Sequence, residues 1–554
     1  MPNAEPVPPA IVLCTLNAKY IHASLGLRYL LANMGDLRAQ TVLREFTIAR
    51  DPQQVAQELV DLLGPQVDGQ AQVLGLGVYI WNADQSCALV RCLRQLRPTL
   101  RIVLGGPEVS HEWEQQEIVA LADHVITGWG DVSFPKLCRA LLHGPRPLMK
   151  RIAGEQPPLA QLALPYAEYT DADLAHRLLY VEASRGCPFK CAFCLSALDK
   201  TAWAFDPDRF LDALGQLFKR GARNFKFVDR TFNLKIDAAL RILQFFLDRL
   251  PGVGEPGLFV HFEVIPDHLP QALKQMIARF PPGVLQFEVG VQSFNVDVQK
   301  LISRRQDNDR TVENLRWLVQ HSHAHLHADL IFGLPGEDMA SFGAGFDRLL
   351  ALGPHEIQLG VLKRLRGTPI TRLDTVHGMV YDPQPPYTVQ QTALVDAADL
   401  QRFTRLARYW DLVANSGRFK RTLALLLAST PQPAAPSSAF AAWLVFSDWL
   451  WQTTGATSAI TPEMLVDLLF DYLHRHCGLD AEPCMSVLLA DYQQSGARAR
   501  PKVLRSVWPA SKVARQSRAR ALLGRQSQHQ RSAALPDADV DAAAGVPPAR
   551  SDRV

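Results

Sequence analysis

After ten residues the chain settles into short apolar runs separated by stretches of helical period. IVLCTL at 11–16, TVLREF at 41–46, VLGLGVYI at 73–80, RIVLGGP at 101–107 and HVITGWG at 124–130 read as strands. Helices are predicted near 24–34, 52–63 and 84–96, with a last one after residue 130. Strands alternating with helices through short connections imply a parallel, doubly wound sheet with helices on both faces, so residues 11–150 are expected to form an α/β, Rossmann-like domain. Such sheets bind ligands at the C-terminal ends of their strands. Here those ends are the loops at 17–20 (NAKY), 79–82 (YIWN), 105–108 (GGPE) and 128–131 (GWGD). Glycines there let the backbone approach a bulky ligand, although at such turns they equally serve the turn itself. The absence of GxGxxG disfavours an ordinary dinucleotide fold.

Residues 151–170, with QPPLAQLALPY at 156–166, read as a linker. Beyond them, strand-like runs at 225–233, 260–267, 285–295, 326–338 and 356–369 alternate with amphipathic helices, the pattern of a parallel barrel over 171–385. Polar residues at the C-terminal strand ends of such a barrel face its site: Asp229, Thr231, Glu263, Gln292, Ser293, Asp329 and the glycines of GLPGE. From 386 to 496 the period is helical, with a Pro/Ala/Ser break at 430–438 and a helix start at Thr461-Pro462-Glu463. The aromatic residues Trp410, Phe419, Trp443, Phe446, Trp449 and Trp451 are expected as its core. Residues 1–10 are predicted to be flexible. The Arg/Ala/Ser/Gln-rich stretch 497–554 is predicted to be a disordered basic tail, with a docking arm as the alternative.

Composition narrows the class. With 554 residues, 47% hydrophobic, and 58 basic against 55 acidic side chains, the chain fits several domains with real cores rather than a disordered polymer. The apolar stretch 440–451 is far shorter than the ~20 residues a bilayer needs, and the N-terminus lacks signal-peptide regions, so a cytoplasmic protein is expected. Nine cysteines, an odd number, point to reduced thiols. Ten Lys or Arg and no acid lie between Arg498 and Arg531; taking ten from the net charge of +3 leaves the body at −7, which argues against nucleic acid as substrate.

Three of the cysteines carry the chemistry. Cys187, Cys191 and Cys194 stand at spacing C-x3-C-x2-C within YVEASRGCPFKCAFCLSALDK. Three soft thiolates this close suit one iron–sulfur cube and leave one iron without a protein ligand. A structural zinc site wants four ligands, and no fourth Cys or His adjoins. With Phe193 before the last cysteine, the segment closely resembles the radical S-adenosylmethionine superfamily. The barrel strings resemble the branch that holds the oxygen-independent coproporphyrinogen oxidases and the cobalamin-dependent enzymes. Asp229-Arg230-Thr231-Phe232-Asn233 stands where that branch carries Asp-Asp-Thr-Phe, so Arg230 is a departure. The resemblance implies a [4Fe-4S] cluster on the three cysteines, and S-adenosylmethionine near Phe193, Asp229, Thr231, Glu263 and Gln292.

A doubly wound domain with a GGPE loop preceding such a cluster resembles the cobalamin-binding radical S-adenosylmethionine proteins. That implies cobalamin near Asn17, Tyr79, Gly105, Gly106, Gly128 and Gly130. Many relatives read GEGE where this chain has GWGD, so Trp129 and Asp131 depart from the pattern. The Asp-x-His-x-x-Gly signature of a lower axial histidine is absent, and His22 reads as a cap or packing group, so base-off cobalamin without a protein histidine is expected. Residues 408–419 resemble an uncharacterised C-terminal region of one subgroup.

The family chemistry so implied is reductive cleavage of S-adenosylmethionine to a 5′-deoxyadenosyl radical. Electrons would come from a flavodoxin- or ferredoxin-type donor, and methylcobalamin would deliver a methyl group to an unactivated carbon or phosphorus of a small-molecule substrate. The alternatives are a cobalamin-dependent rearrangement or ring-forming enzyme, a cobalamin-independent oxidase resembling coproporphyrinogen oxidase, a tRNA methylthiotransferase, and a non-catalytic cluster-binding module. His321, His323, His325 and His327 are read as a solvated loop, and Cys14, Cys87, Cys92 and Cys138 as small core residues.

Overall fold

The computed structural model describes residues 8–66, 70–199, 202–252, 257–429, 438–497 and 499–508. The predicted alternation at the start becomes a six-stranded sheet: β1 (Ile11–Asn17), β2 (Thr41–Thr47), β3 (Val73–Gly77), β4 (Arg101–Gly105), β5 (His124–Thr127) and β6 (Arg151–Ala153). The order is β2-β1-β3-β4-β5-β6 and every pairing is parallel. β1 and β3 are buried along their whole length, which is why they read as continuous apolar runs rather than alternating ones. The helices Pro52–Leu63 and Ala83–Leu96 cover one face with Val55, Leu59, Leu89 and Leu93; Leu25–Ala32 and Ser133–His143 cover the other with Leu27, Leu31, Phe134 and Leu137. Ser24 and Asp51 start two of these helices by accepting the backbone N–H three residues on. Cys14 and Cys138 belong to opposite cores, so they share no site. The expected linker starts later than its composition suggested, because 151–153 pair with β5.

The second sheet comprises β7 (Leu179–Val181), β8 (Asn224–Phe227), β9 (Phe259–Val264), β10 (Leu285–Gln292), β11 (His325–Phe332) and β12 (Glu356–Val361), parallel and in sequential order, the open barrel expected. On β10 the buried Leu285, Phe287, Val289 and Val291 alternate with Gln286, Glu288, Gly290 and Gln292. β11 does the same, with His327 and Asp329 between buried apolar neighbours. One face of these strands thus packs on helices while the other lines a polar interior. The histidine run is therefore no solvated loop: His325 opens β11 and its Nε2 lies 2.9 Å from Glu356, while His327 Nε2 lies 3.6 Å from Asp329.

The helices Ala397–Val413, Lys420–Ala428, Ala439–Thr454, Pro462–Phe470 and Ala481–Gln494 continue the barrel core. Phe403 stacks on Phe332 of β11 at 4.2 Å, and the Asn415 side chain both donates to and accepts from the backbone of Ile357 at 3.0 Å. Trp410 and Trp443 meet edge to face at 5.1 Å, as expected of core residues. Trp451 departs from that expectation: it sits at the surface beneath the Arg405 guanidinium. The predicted break at 430–438 lies, but for Ser438, outside the described residues, as does most of the predicted tail. Residues 499–508 correct the tail's start, since Leu504 is fully buried and Trp508 packs on Tyr492. No described helix is long and apolar enough to cross a membrane.

The first domain is clamped to the barrel by a buried charge cluster. Glu45 on β2 accepts from Arg28 (2.8 Å) and from Arg177 (2.7 Å), and Arg28 also donates to Asp173 (2.9 Å). All four side chains are under a tenth exposed. Glu45 further accepts from Asn17 Nδ2 and the Ser24 backbone N–H, and its removal leaves Asp173 as the one carboxylate of the cluster facing two buried guanidinium groups. Breaking a buried pair from one side costs about 3–5 kcal/mol. Glu45→Ala is accordingly expected to lower the unfolding free energy by that order, read as a shifted midpoint in urea; an unchanged midpoint would show the cluster to be neutral.

Candidate functional site

The chain leaves β7 at Val181 and reaches Cys187 through Glu182-Ala183-Ser184-Arg185-Gly186, and neighbouring elements fix this loop. Asp229, after β8, accepts from the Ala183 backbone N–H at 2.9 Å and from Ser184 Oγ at 2.6 Å. Further on, Ala192 donates its N–H to Ile302 O (2.8 Å), and Ala192 O accepts from the Ile370 N–H (2.9 Å). The three cysteines so held line a cavity of about 230 Å³ together with Phe193, Thr231, Glu263, Gln292, Arg304 and Asp329. Burial, and then the neighbouring thiols, push Cys187 up; burial likewise raises Cys191. Free thiolates are therefore disfavoured there, and a metal centre is what would stabilise them. Among the described residues no three Cys, His, Asp or Glu side chains converge as a single metal ion requires. Thiolates ringing a cavity suit the corners of a cube better than one zinc.

The rest of the pocket is built to receive a polar ligand. β10 carries an irregularity between Gly290 and Gln292, and Gln292 adopts φ 70°, a left-handed conformation that turns its amide into the cavity. Gly290 makes this possible: a Cβ there would stand 2.5 Å from Gln292 Nε2. Gln292 Oε1 and Asp329 Oδ1 are buried without a hydrogen-bond partner. Such orphaned atoms on a cavity wall fit a ligand bearing hydroxyl or amino donors. Burial, reinforced by Glu288 and Glu263, pushes the Asp329 carboxyl well above the usual range, which favours its neutral form.

Two residues that sequence reasoning did not place complete the wall. Arg230, the departure from the family string, ion-pairs with Glu263 at 2.9 and 3.0 Å, so Glu263 is committed to a protein partner. Arg304 donates to Gly290 O and brings Nη1 to 3.7 Å from Cys191 Sγ. The only signal for it was the doubled arginine of SRRQ shortly after GVQSFN. Asp229 corrects an expectation. It is 3% exposed, spends both oxygens on the cysteine loop and is absent from the cavity wall, which makes it a positioning residue.

The second cavity, about 310 Å³, opens at the C-terminal edge of the first sheet and runs in beside the helices Leu25–Ala32 and Ser133–His143. Of the six residues expected near cobalamin, Tyr79, Gly105, Gly106, Gly128 and Gly130 line it. Asn17 does not: its amide donates to His22 O and Glu45 inside the domain clamp. Gly128 (φ 81°) would meet nothing within 4 Å if it carried a Cβ, so its bare backbone faces open space of the kind a flat, bulky ligand would fill. Among the described residues no histidine lines this cavity; His22 is engaged with the Tyr180 hydroxyl at 2.8 Å.

Arg185 ties the cysteine-bearing loop to the glycine-lined cavity. Its guanidinium donates to Asp131 at 2.9 Å and to Glu182 at 2.8 Å, and lies over the rings of Tyr29 (4.6 Å) and Trp129 (4.7 Å). Trp129 and Asp131, the two departures in the glycine loop, are thus the residues that receive Arg185. Glu182 and Arg185 line the second cavity, and Cys187 lines the first.

Comparison with known proteins agrees with this geometry. Residues 11–138 match the B12 binding domain, 181–349 the Radical SAM superfamily, and 375–540 a protein of unknown function (DUF4080). The chain is 26% identical over 319 residues to the 2-(S-pantetheinyl)-carbapenam-3-carboxylate methyltransferase of Streptantibioticus cattleyicolor, covering 51% of this chain and 45% of that protein. It is 24% identical over 346 residues to the cobalamin-dependent radical SAM methyltransferase TokK of Streptomyces tokunonensis, covering 55% and 50%. The chain thus spans about half the length of the curated relatives it matches. Its fold is similar to that of OxsB with aqua-cobalamin and S-adenosylmethionine bound, at a TM-score of 0.54 and 15% identity over 90% of this chain and 80% of that one.

Two outcomes follow. Arg185→Ala leaves Asp131 and Glu182 without their cation, and is expected to cost about 3–5 kcal/mol in stability and to reduce hydroxocobalamin retention on gel filtration at least tenfold. Retention equal to wild type would show that Arg185 does not shape the cavity. Burial also raises the Asp229 carboxyl from 3.8 to about 7. The fold therefore favours its protonated form, and that contribution, complete below about pH 4, is lost as pH rises through 7. In Asp229→Asn the amide O can still accept from Ala183 while Nδ2 donates to Ser184 Oγ. Urea unfolding of the apoprotein should become less pH-dependent between pH 4 and 7; an unaltered slope would contradict this.

Proposed function

We propose that this chain, a member of the cobalamin-binding radical S-adenosylmethionine proteins with a C-terminal domain of unknown function, is a methyltransferase acting on a carbon or phosphorus centre of a small-molecule substrate. One observation carries the reading: a single loop supplies both cavities, with Glu182 and Arg185 on the glycine-lined one and Cys187, Cys191 and Cys194 on the other. The two cofactor sites are thereby held as neighbours, as transfer of a methyl group to a substrate radical between them requires. When bound, the cluster with S-adenosylmethionine would supply the radical, and cobalamin the methyl group.

The chain's own residues place and shield. Cys187, Cys191 and Cys194 would hold three irons and leave the fourth to the amino and carboxylate groups of S-adenosylmethionine. Arg304 spends Nε on Gln306 and Nη2 on Gly290 O, which holds its Nη1 beside Cys191 and its positive charge at the edge of the site where that carboxylate would sit. Gln292 and Asp329 would pair with hydroxyl groups of the same ligand, and Phe193 lines the pocket beside them. Tyr79 and the glycines 105, 106, 128 and 130 would cradle cobalamin, which we read as base-off, no histidine lining their cavity among the described residues. The electron donor is read as flavodoxin- or ferredoxin-type. The coproporphyrinogen-oxidase-like alternative, which expects a first domain without cobalamin, is not favoured, because that domain matches the B12 binding domain.

After anaerobic iron–sulfur reconstitution with hydroxocobalamin, the protein is expected to hold about four irons and one corrinoid and to release 5′-deoxyadenosine from S-adenosylmethionine under dithionite. Cys187→Ala, Cys191→Ala and Cys194→Ala should each reduce deoxyadenosine to background while leaving the corrinoid bound. A cluster with no corrinoid, or deoxyadenosine formation that survives these substitutions, would sink the reading.

A further inference from the structure

Behind the cysteine loop lies a surface groove of about 650 Å³ whose polar wall is strongly basic: Lys190, Lys300, Arg304 and Arg305, with no carboxylate among its lining residues. Lys190 and Arg305 are exposed and make no ion pair among the described residues. Among the described residues Lys300 pairs only with Asp297, and both side chains are more than two-thirds exposed, so solvent screens that pair. The groove is a local concentration of positive charge on a body that carries −7 without its basic tail segment. It also reaches the cluster site directly. Lys190 lies in sequence between Cys187 and Cys191, Phe189, Arg304 and Arg305 line both the groove and the cysteine cavity, and Arg304 Nη1 is 3.7 Å from Cys191 Sγ. The groove shares no residue with the glycine-lined cavity, so an occupant here leaves that cavity free.

We infer that this groove is the docking surface for an acidic protein carrying a low-potential one-electron centre. The inference rests on the radical reading above and adds to it the face through which the electron enters. A confined basic patch on an acidic body suits a partner of opposite charge, steered by complementary fields. A nucleic acid would instead call for a longer basic stripe that tracks its phosphates. The step balances simply. With a cluster on the three cysteines, one electron would leave the partner's centre, which is oxidised by one, and reduce the cluster by one across the Phe189–Arg304 wall, with no proton or further reactant required.

The test uses the full-length reconstituted protein and a bacterial flavodoxin as probe. Lys190→Glu/Lys300→Glu should weaken flavodoxin binding, measured calorimetrically, at least tenfold and flatten its salt dependence. Lys219→Glu, outside the groove, should leave both unchanged. Deoxyadenosine formation driven by reduced flavodoxin should show a raised KM for flavodoxin in the double variant, whereas the dithionite-driven rate should match wild type. Equal flavodoxin binding by the double variant and wild type would overturn the docking surface. So would tighter retention of a single-stranded oligonucleotide than of flavodoxin. Failure of wild type itself under dithionite would instead overturn the radical reading, which keeps the two failures distinct.

Discussion

The half-buried Arg185 guanidinium is the constraint on which the rest of the site depends. Taking such a charge out of water is costly, and it is tolerated here because two carboxylates and two aromatic faces receive it together. Asp131 and Trp129 come from the first sheet's glycine loop, while Glu182 and Arg185 come from the loop that carries the cysteines. The interaction therefore does more than join two domains. It sets the spacing between the cavity suited to a flat, bulky ligand and the cavity ringed by thiols. The planar fork of arginine matters to this role, since lysine could not donate to both carboxylates while lying flat on the rings.

The remaining contacts make that geometry rigid from outside. The Arg28–Glu45–Asp173–Arg177 cluster fixes one side of the domain contact, and on another side Arg366 donates to Glu108 of the GGPE loop, which also accepts from the Tyr387 hydroxyl. The Asp229 carboxyl then ties the cysteine loop to β8. The glutamate of GGPE thus serves docking, and its glycines serve the cavity. Inside the barrel, alternation on β10 and β11 places Glu288, Gln292, His327 and Asp329 on the hollow side, where Lys226 neutralises Glu288 at 3.1 Å and Arg230 neutralises Glu263.

Much of this was legible in the chain because local rules and tertiary structure agree. The helix at Pro52–Leu63 follows from its period and its Asp51 cap, and the cysteine spacing confines three thiols to one loop. Other features depend on partners distant in sequence. Arg185 and Asp131 are 54 positions apart, and nothing near either announces the other. Asn17 stands at the strand end that pattern predicts, yet Glu45 claims its amide. Arg151–Ala153 looked like linker because an edge strand of three exposed or half-exposed residues has too little apolar content to register. His325 and His327 were legible as alternating, but only the register of β11 against β12 shows that the alternation belongs to a strand.

The central claim, that one loop holds a histidine-free cobalamin site beside the cluster, is tested most directly by frozen-solution electron paramagnetic resonance of protein loaded with both cofactors. The account predicts a base-off cobalt(II) signal without nitrogen splitting, broadened when the neighbouring cluster is reduced, with that broadening lost in Arg185→Ala. A nitrogen-split cobalt(II) signal, or one indifferent to the state of the cluster, would contradict it.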